Sequence, residues 1–235
     1  MRHYLAALTT LTLLILPFPT ALSRIDVPQV PQRTTIIGYD RTAFGPGWAP
    51  VLAGAPAGSA LAGSALAGSA LAGSALAPRA QCDTRTRVMA DAFGADCAAP
   101  WPSWQVEPIP DPYTGRPILP ADVQIDHILP VSAAWDLGAH RWDDATRARF
   151  YNDPGNLVAV SADANQAKSD KLPSEWMPEA RRARCAYGRR MVDVATQYAL
   201  PLPAADVRAI KRACSGVAGL VSRRELGGIS HVPVM

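Results

Sequence analysis

Two stretches of this chain, "DVQIDH" and "NLVAVS", gather apolar residues densely over five or six positions and predict buried strands. Elsewhere the apolar positions fall at helical spacing. Val88, Met89 and Phe93 do so within "CDTRTRVMADAF", and Tyr187, Met191, Val194 and Tyr198 line one face beyond Cys185. "AAWDLGA" and "WDDATRARFYN" read as short helices, "SADANQAKSD" as a helix capped by Ser161, and "PAADVRAIKRAC" as a last helix. The proline-rich "WPSWQVEPIPDPYTGRPILP", with a turn at "YTG", predicts irregular backbone leading into the first strand. Strand, short helices, strand and helix in that order make one α+β domain. Its roughly 150 residues are enough for a single core.

Other segments carry a different pattern. Arg2 and His3 precede the apolar "YLAALTTLTLLILPFP", and "TALS" offers Ala21 and Ser23 as small residues before a cut. This predicts a secretory signal peptide over residues 1–23 and an exported protein, with no stable membrane insertion after its removal. Residues 24–38 read as an extended, proline-punctuated leader. The folded domain is expected over 39–215, opening with Tyr39, Phe44 and Trp48, and 216–235 form a tail. Inside the domain, residues 53–80 hold four copies of the unit "AGSAL". A period of five matches neither helix nor strand, so no constant apolar stripe forms, and a surface loop without chemistry is expected.

Four cysteines, Cys82, Cys97, Cys185 and Cys214, include no C-x-x-C pair, and only four histidines are available. Two disulfides suit an exported chain better than a zinc site. Of three pairings, the local one, Cys82–Cys97 with Cys185–Cys214, is favoured. The net charge is +3, but residues 179–224 hold ten Arg or Lys against three acids. Such a surface suits a polyanionic partner, and it also suits a solvated helix face.

In "QIDHILP", Asp126 and His127 sit among Ile125, Ile128 and Leu129. Burying two polar groups there costs free energy unless something pairs them. Downstream, Asn156 opens the second strand, and Asn165 and Lys168, three apart, share a helix face. A carboxylate, an imidazole and an amide oxygen at one point suit metal-assisted phosphodiester cleavage. Asp126 and Asn165 would offer hard oxygens to a divalent ion, neutral His127 would take a proton from water, and Lys168 would steady transition-state charge. Such a base predicts a rate rising with pH through the imidazole titration, near 6.5 for an unperturbed ring.

"QIDHILPVSAAWDLGA", "NDPGNLVAVSADANQAKSDKLPSEW" and "DPYTG" resemble the HNH endonucleases, similar to the HNH domain of CRISPR effector nucleases and the nuclease domain of GmrSD-type restriction enzymes. Secreted bacterial HNH-family proteins also show "YDR…F…W" and "CDTR", which extends the resemblance over most of residues 39 to 215. It implies a ββα-metal core at about 120–175 with added short helices and a C-terminal helix pair. It implies Asp126 as the metal-binding acid, His127 as general base and Asn156 as the residue bracing the hairpin and orienting the base. Asn165 stands where many members have a metal-binding His, which argues for Mg²⁺, with Mn²⁺ as substitute.

The expected activity is therefore a secreted, metal-dependent DNA endonuclease of low sequence specificity, since no added helix-turn-helix or zinc finger is present to read bases. Water-driven hydrolysis leaves RNA open as a substrate. The alternative is a non-catalytic nucleic-acid- or envelope-binding protein that keeps the fold. A Ser or zinc hydrolase lacks its G-x-S-x-G or H-E-x-x-H. Arg41 and Arg85 read as structural salt bridges sooner than phosphate contacts, His140 as a surface or structural residue, and Asp170 receives no role.

Overall fold

The computed structural model describes residues 25–52 and 80–215, so the expected signal peptide, nearly all of the AGSAL repeat and the tail lie outside the described residues. In chain order the described elements are β1 (Gln29–Val30), β2 (Pro50–Leu52), β3 (Ala80–Asp83), α1 (Thr84–Phe93), β4 (Ile109–Pro110), β5 (Pro117–Ile118) and β6 (Val123–His127). There follow α2 (Val131–Leu137), α3 (Asp144–Tyr151), β7 (Leu157–Ser161), α4 (Ala162–Lys168), α5 (Arg184–Gln197), β8 (Leu202–Pro203) and α6 (Ala204–Cys214). The architecture is mixed α and β, with four two-stranded pairings. None of these helices is long and apolar enough to cross a membrane.

β6 and β7 pair antiparallel, with Val123 opposite Ser161 and His127 opposite Leu157. Side chains alternate across a strand, and both faces of this pair are covered. Val123, Ile125, Leu157 and Ala159 pack with Met89 and Phe93 of α1 in one cluster, while Val158 and Val160 join the larger core with Phe44, Phe150 and Met191. Covering on both sides explains why "NLVAV" is a continuous apolar run. The polar side chain of Ser161 ends β7 and accepts from Ala164 N, so it caps α4 as expected. That immediate strand-to-helix turn lays α4 against β6 and β7.

The disulfides join Cys82 to Cys97 and Cys185 to Cys214, the local pairing. The second clips α5 to α6, which approach closely at Gly188, where a Cβ would lie 2.7 Å from Ile210 Cγ2. Only glycine fits that crossing.

The leader is extended but belongs to the fold, a correction to the expected boundary at residue 39. β1 pairs parallel with β8, Val27 is buried, and Arg33 bonds Asp136 at 2.7 Å. Asp136 also accepts from Ile36 N. The prolines that suggested a linker leave the chain extended, which suits edge pairing.

Candidate active site

Asp126 and His127 are the last two residues of β6, and each is 5% exposed. The two carboxylate oxygens of Asp126 are both engaged. Oδ1 accepts from Lys168 Nζ at 2.9 Å, and Oδ2 accepts from Tyr113 OH at 2.5 Å. Burial raises the Asp126 pKa, opposed chiefly by the Lys168 charge and the Tyr113 hydroxyl. Burial likewise lowers Lys168, opposed by Asp126.

His127 is held differently. Its Nε2 lies 2.8 Å from the carbonyl oxygen of Tyr151, which can only accept, so Nε2 carries the proton. Nδ1 is then the basic nitrogen, and it has no protein partner among the described residues. The ring stacks on Trp48, with centroids 5.7 Å apart and planes 9° apart, and meets the Tyr151 ring at 4.7 Å. Burial lowers its pKa to about 3, and the Arg41 and Lys168 charges push the same way. The imidazole is thus neutral at ordinary pH, and the value near 6.5 expected of an unperturbed ring does not apply to it. The cause is desolvation by the aromatic neighbours.

Asn156 is fully buried just ahead of β7. Its Oδ1 accepts from Leu129 N at 2.8 Å, its Nδ2 donates to Leu129 O at 3.2 Å, and its backbone oxygen accepts from Ile128 N. One asparagine therefore clamps the turn that leaves β6 directly after His127.

On α4, Asn165 donates from Nδ2 to Gln124 Oε1 at 2.8 Å, which turns its Oδ1 away without a protein partner among the described residues. Three residues on, Lys168 donates to Asp126 and to the His127 carbonyl oxygen. The helix thus reads alternate residues, Gln124 and Asp126, on one face of β6. Lys168 is wholly buried behind the carboxylate. It does not line the cavity described next, and this corrects its expected place as a transition-state contact.

Asp126, His127 and Asn165 do meet, in a cavity of about 270 Å³ whose walls also include Tyr39, Arg41, Ser132, Ser169 and Asp170. Arg41 makes no carboxylate bridge. It donates from Nε and Nη2 to Tyr151 OH, with its guanidinium carbon 5.3 Å from that ring centroid. His140 is structural, its Nδ1 bonding the Trp135 carbonyl. Sequence reasoning missed Trp48, Tyr113 and Tyr151 as members of the site. Trp48 and Tyr113 stand in the quoted "YDR…F…W" and "DPYTG", where the signal lay.

Among the described residues no three His, Cys, Asp or Glu converge on one point. Asp126 and Asn165 would each have an oxygen lone pair to offer a hard cation in this cavity. That fits Mg²⁺, which keeps several waters and takes one or two protein oxygens.

Residues 103–201 match the family model of the GmrSD restriction endonuclease C-terminal domain. An uncharacterized secreted protein of Arthroderma benhamiae is 36% identical over 137 residues, which is 55% of this chain and 65% of the relative. The chain thus spans slightly under two thirds of that relative's length. No solved structure matches the chain.

Proposed function

We propose, since residues 103–201 match the family model of the GmrSD restriction endonuclease C-terminal domain, that the chain is an exported, metal-dependent endonuclease with an HNH-type ββα-metal site that hydrolyses DNA phosphodiester bonds with little sequence preference. The observation that carries this reading is the convergence of Asp126, His127 and Asn165 on one cavity. Export is supported by the N-terminal apolar segment, the two disulfides and the secreted relative.

In this reading a water in the cavity attacks phosphorus and gives its proton to His127 Nδ1. The phosphorus–oxygen bond to the 3′ leaving group breaks, and that oxygen takes a proton from solvent. The Tyr151 carbonyl fixes the tautomer, and the Trp48 face sets the ring plane. An incoming phosphate brings negative charge beside the imidazole, which favours its protonated form, so His127 becomes a stronger base when substrate is bound. Mg²⁺, or Mn²⁺ in its place, would be held by Asp126 and Asn165 and would neutralise charge on the phosphate oxygens. Lys168 and Tyr113 act by holding Asp126 in place, and Asn156 by fixing the turn after His127.

A plasmid-cleavage assay with the oxidised, exported chain tests this, with EDTA, Mg²⁺, Mn²⁺ or Zn²⁺ and with His127→Ala alongside. Cleavage that needs Mg²⁺ or Mn²⁺ and vanishes in the variant supports the reading. No cleavage by folded protein under any metal overturns it and favours the alternative, a non-catalytic nucleic-acid- or envelope-binding protein that keeps the fold.

A further inference from the structure

The ion pairs around the cavity leave one cation out. Asp126 pairs with Lys168, and Asp170 on the rim shares Arg33 with Asp136, at 3.0 Å and 2.7 Å respectively. Asp170 is further engaged by Ser132 Oγ at 3.4 Å. Arg41 is left as the cation on the cavity wall with no carboxylate within ion-pair distance among the described residues.

Its geometry is specific. Asp40 caps the short turn Arg41–Phe44 by accepting from Thr42 N, and the buried Phe44 pins that turn to the core. The guanidinium packs on the Tyr151 ring and spends Nε and one Nη on the Tyr151 hydroxyl. Nη1 forms no bond to a described residue. Stacking on an aromatic face orients a guanidinium at little entropic cost, because the planar fork is already rigid. Tyr151 also holds His127 through its carbonyl, so one residue positions the guanidinium with its side chain and the base with its backbone.

From this pre-oriented cation without an ion-pair partner among the described residues we propose that Arg41 anchors the phosphate that is cleaved, setting it against His127 Nδ1. The proposal rests on the nuclease reading above and names the residue that binds the reacting phosphate. Arginine suits the task because it offers two donors to two phosphate oxygens at once, whereas lysine is a point charge.

The test uses the full exported chain and two measurements. The first is binding of a dye-labelled single-stranded oligonucleotide in EDTA, read by fluorescence anisotropy between 50 and 200 mM salt, where no turnover is needed. Arg41→Gln, which keeps much of the stem packing without charge, is expected to weaken binding about tenfold and to flatten the salt slope by about 0.7. Arg41→Lys should keep the slope. The second is hydrolysis of bis-p-nitrophenyl phosphate with Mg²⁺, a substrate with no flanking phosphates. There Arg41→Gln and Arg41→Lys should both lose at least tenfold in kcat/KM, since neither restores the fork.

Unchanged affinity and slope in folded Arg41→Gln, or a wild-type chain that does not bind the oligonucleotide, overturns the proposal. So does a loss on DNA with none on the small diester, which would place Arg41 on a flanking phosphate. A wild-type chain that binds through Arg41 but cleaves nothing overturns the nuclease reading and the reacting-phosphate role with it, while retaining Arg41 as an anion contact.

Discussion

Lys168 Nζ donates to Asp126 Oδ1 across 2.9 Å, with the lysine wholly out of solvent and the aspartate 5% exposed. The pair is the largest electrostatic commitment in the core. Desolvation pushes both members towards their neutral forms, and each is supported in its charged form chiefly by the other, Asp126 with help from the Tyr113 hydroxyl. Removing one partner strands the other. Lys168→Met is therefore expected to cost about 3–5 kcal/mol in urea unfolding, with Lys168→Met/Asp126→Asn recovering part of it. A single-variant loss under about 1 kcal/mol would show that the pair does not hold the site.

Protons test His127. Its folded pKa is about 3 against about 6.5 unfolded, so between those values the unfolded chain binds the extra proton. Stability from this group is complete above pH 6.5 and is lost as pH falls towards 3, at up to about 1.4 kcal/mol per pH unit. Asp126, raised by burial, contributes in the opposite sense, losing stability as pH rises through its folded pKa. The useful quantity is thus the difference between wild type and His127→Gln in EDTA, which should shrink on acidification. A pH-independent difference would mean a His127 that titrates normally. In the nuclease reading, kcat/KM, which reports the free protein, should also show no inflection at pH 6.5 from this residue.

Asn156 satisfies the N–H and C=O of Leu129, a residue with no exposure. Asn156→Ala should cost about 2–4 kcal/mol, because it leaves two buried backbone groups unpaired. Asn156→Asp sets an acceptor against the Leu129 carbonyl oxygen and buries a carboxyl group, so it should cost at least as much. Hydrogen exchange at the Leu129 amide checks the mechanism directly. Protection unchanged in Asn156→Ala would remove the clamp.

Much of this core was legible because its causes are local. "DVQIDH" and "NLVAV" pair as a strand couple, Ser161 caps α4, and the three-residue spacing of Asn165 and Lys168 places both against β6. The surroundings of His127 were not legible. Trp48 lies 79 positions before it and Tyr151 lies 24 after it, and no periodicity says that two such rings will close on one imidazole. The same distance problem hid Tyr113 from Asp126. Lys168 was misread for a related reason, since helix spacing gives its direction but not its depth.

Ser169 ends α4 with φ of 52° and ψ of −129°, in the half of conformational space that suits glycine. A side chain there is strained by about 1 kcal/mol or more. Ser169→Gly should accordingly raise the unfolding free energy by about 1 kcal/mol, read from a shifted urea midpoint at constant slope. A lower midpoint would show that the serine makes a compensating contact.

Reduction gives a further check. The Cys185–Cys214 bond closes a loop with sequence separation 29, for which chain entropy predicts about 3–4 kcal/mol. Replacing both cysteines by alanine should lower stability by that amount and loosen the α5–α6 crossing at Gly188, seen as faster amide exchange in α6. Unchanged stability would mean that packing alone holds the crossing.

β2 and β3 flank residues 53–79 and pair with each other, Val51 opposite Cys82. The chain therefore leaves and re-enters the fold at one place, whatever the intervening residues do. Gaining or losing an AGSAL unit alters neither anchor, and the entropic cost of closing a longer connection grows only with the logarithm of its length. Copy number in this tract is thus free to change with little consequence for the rest of the fold, and chains of very different length can share one core.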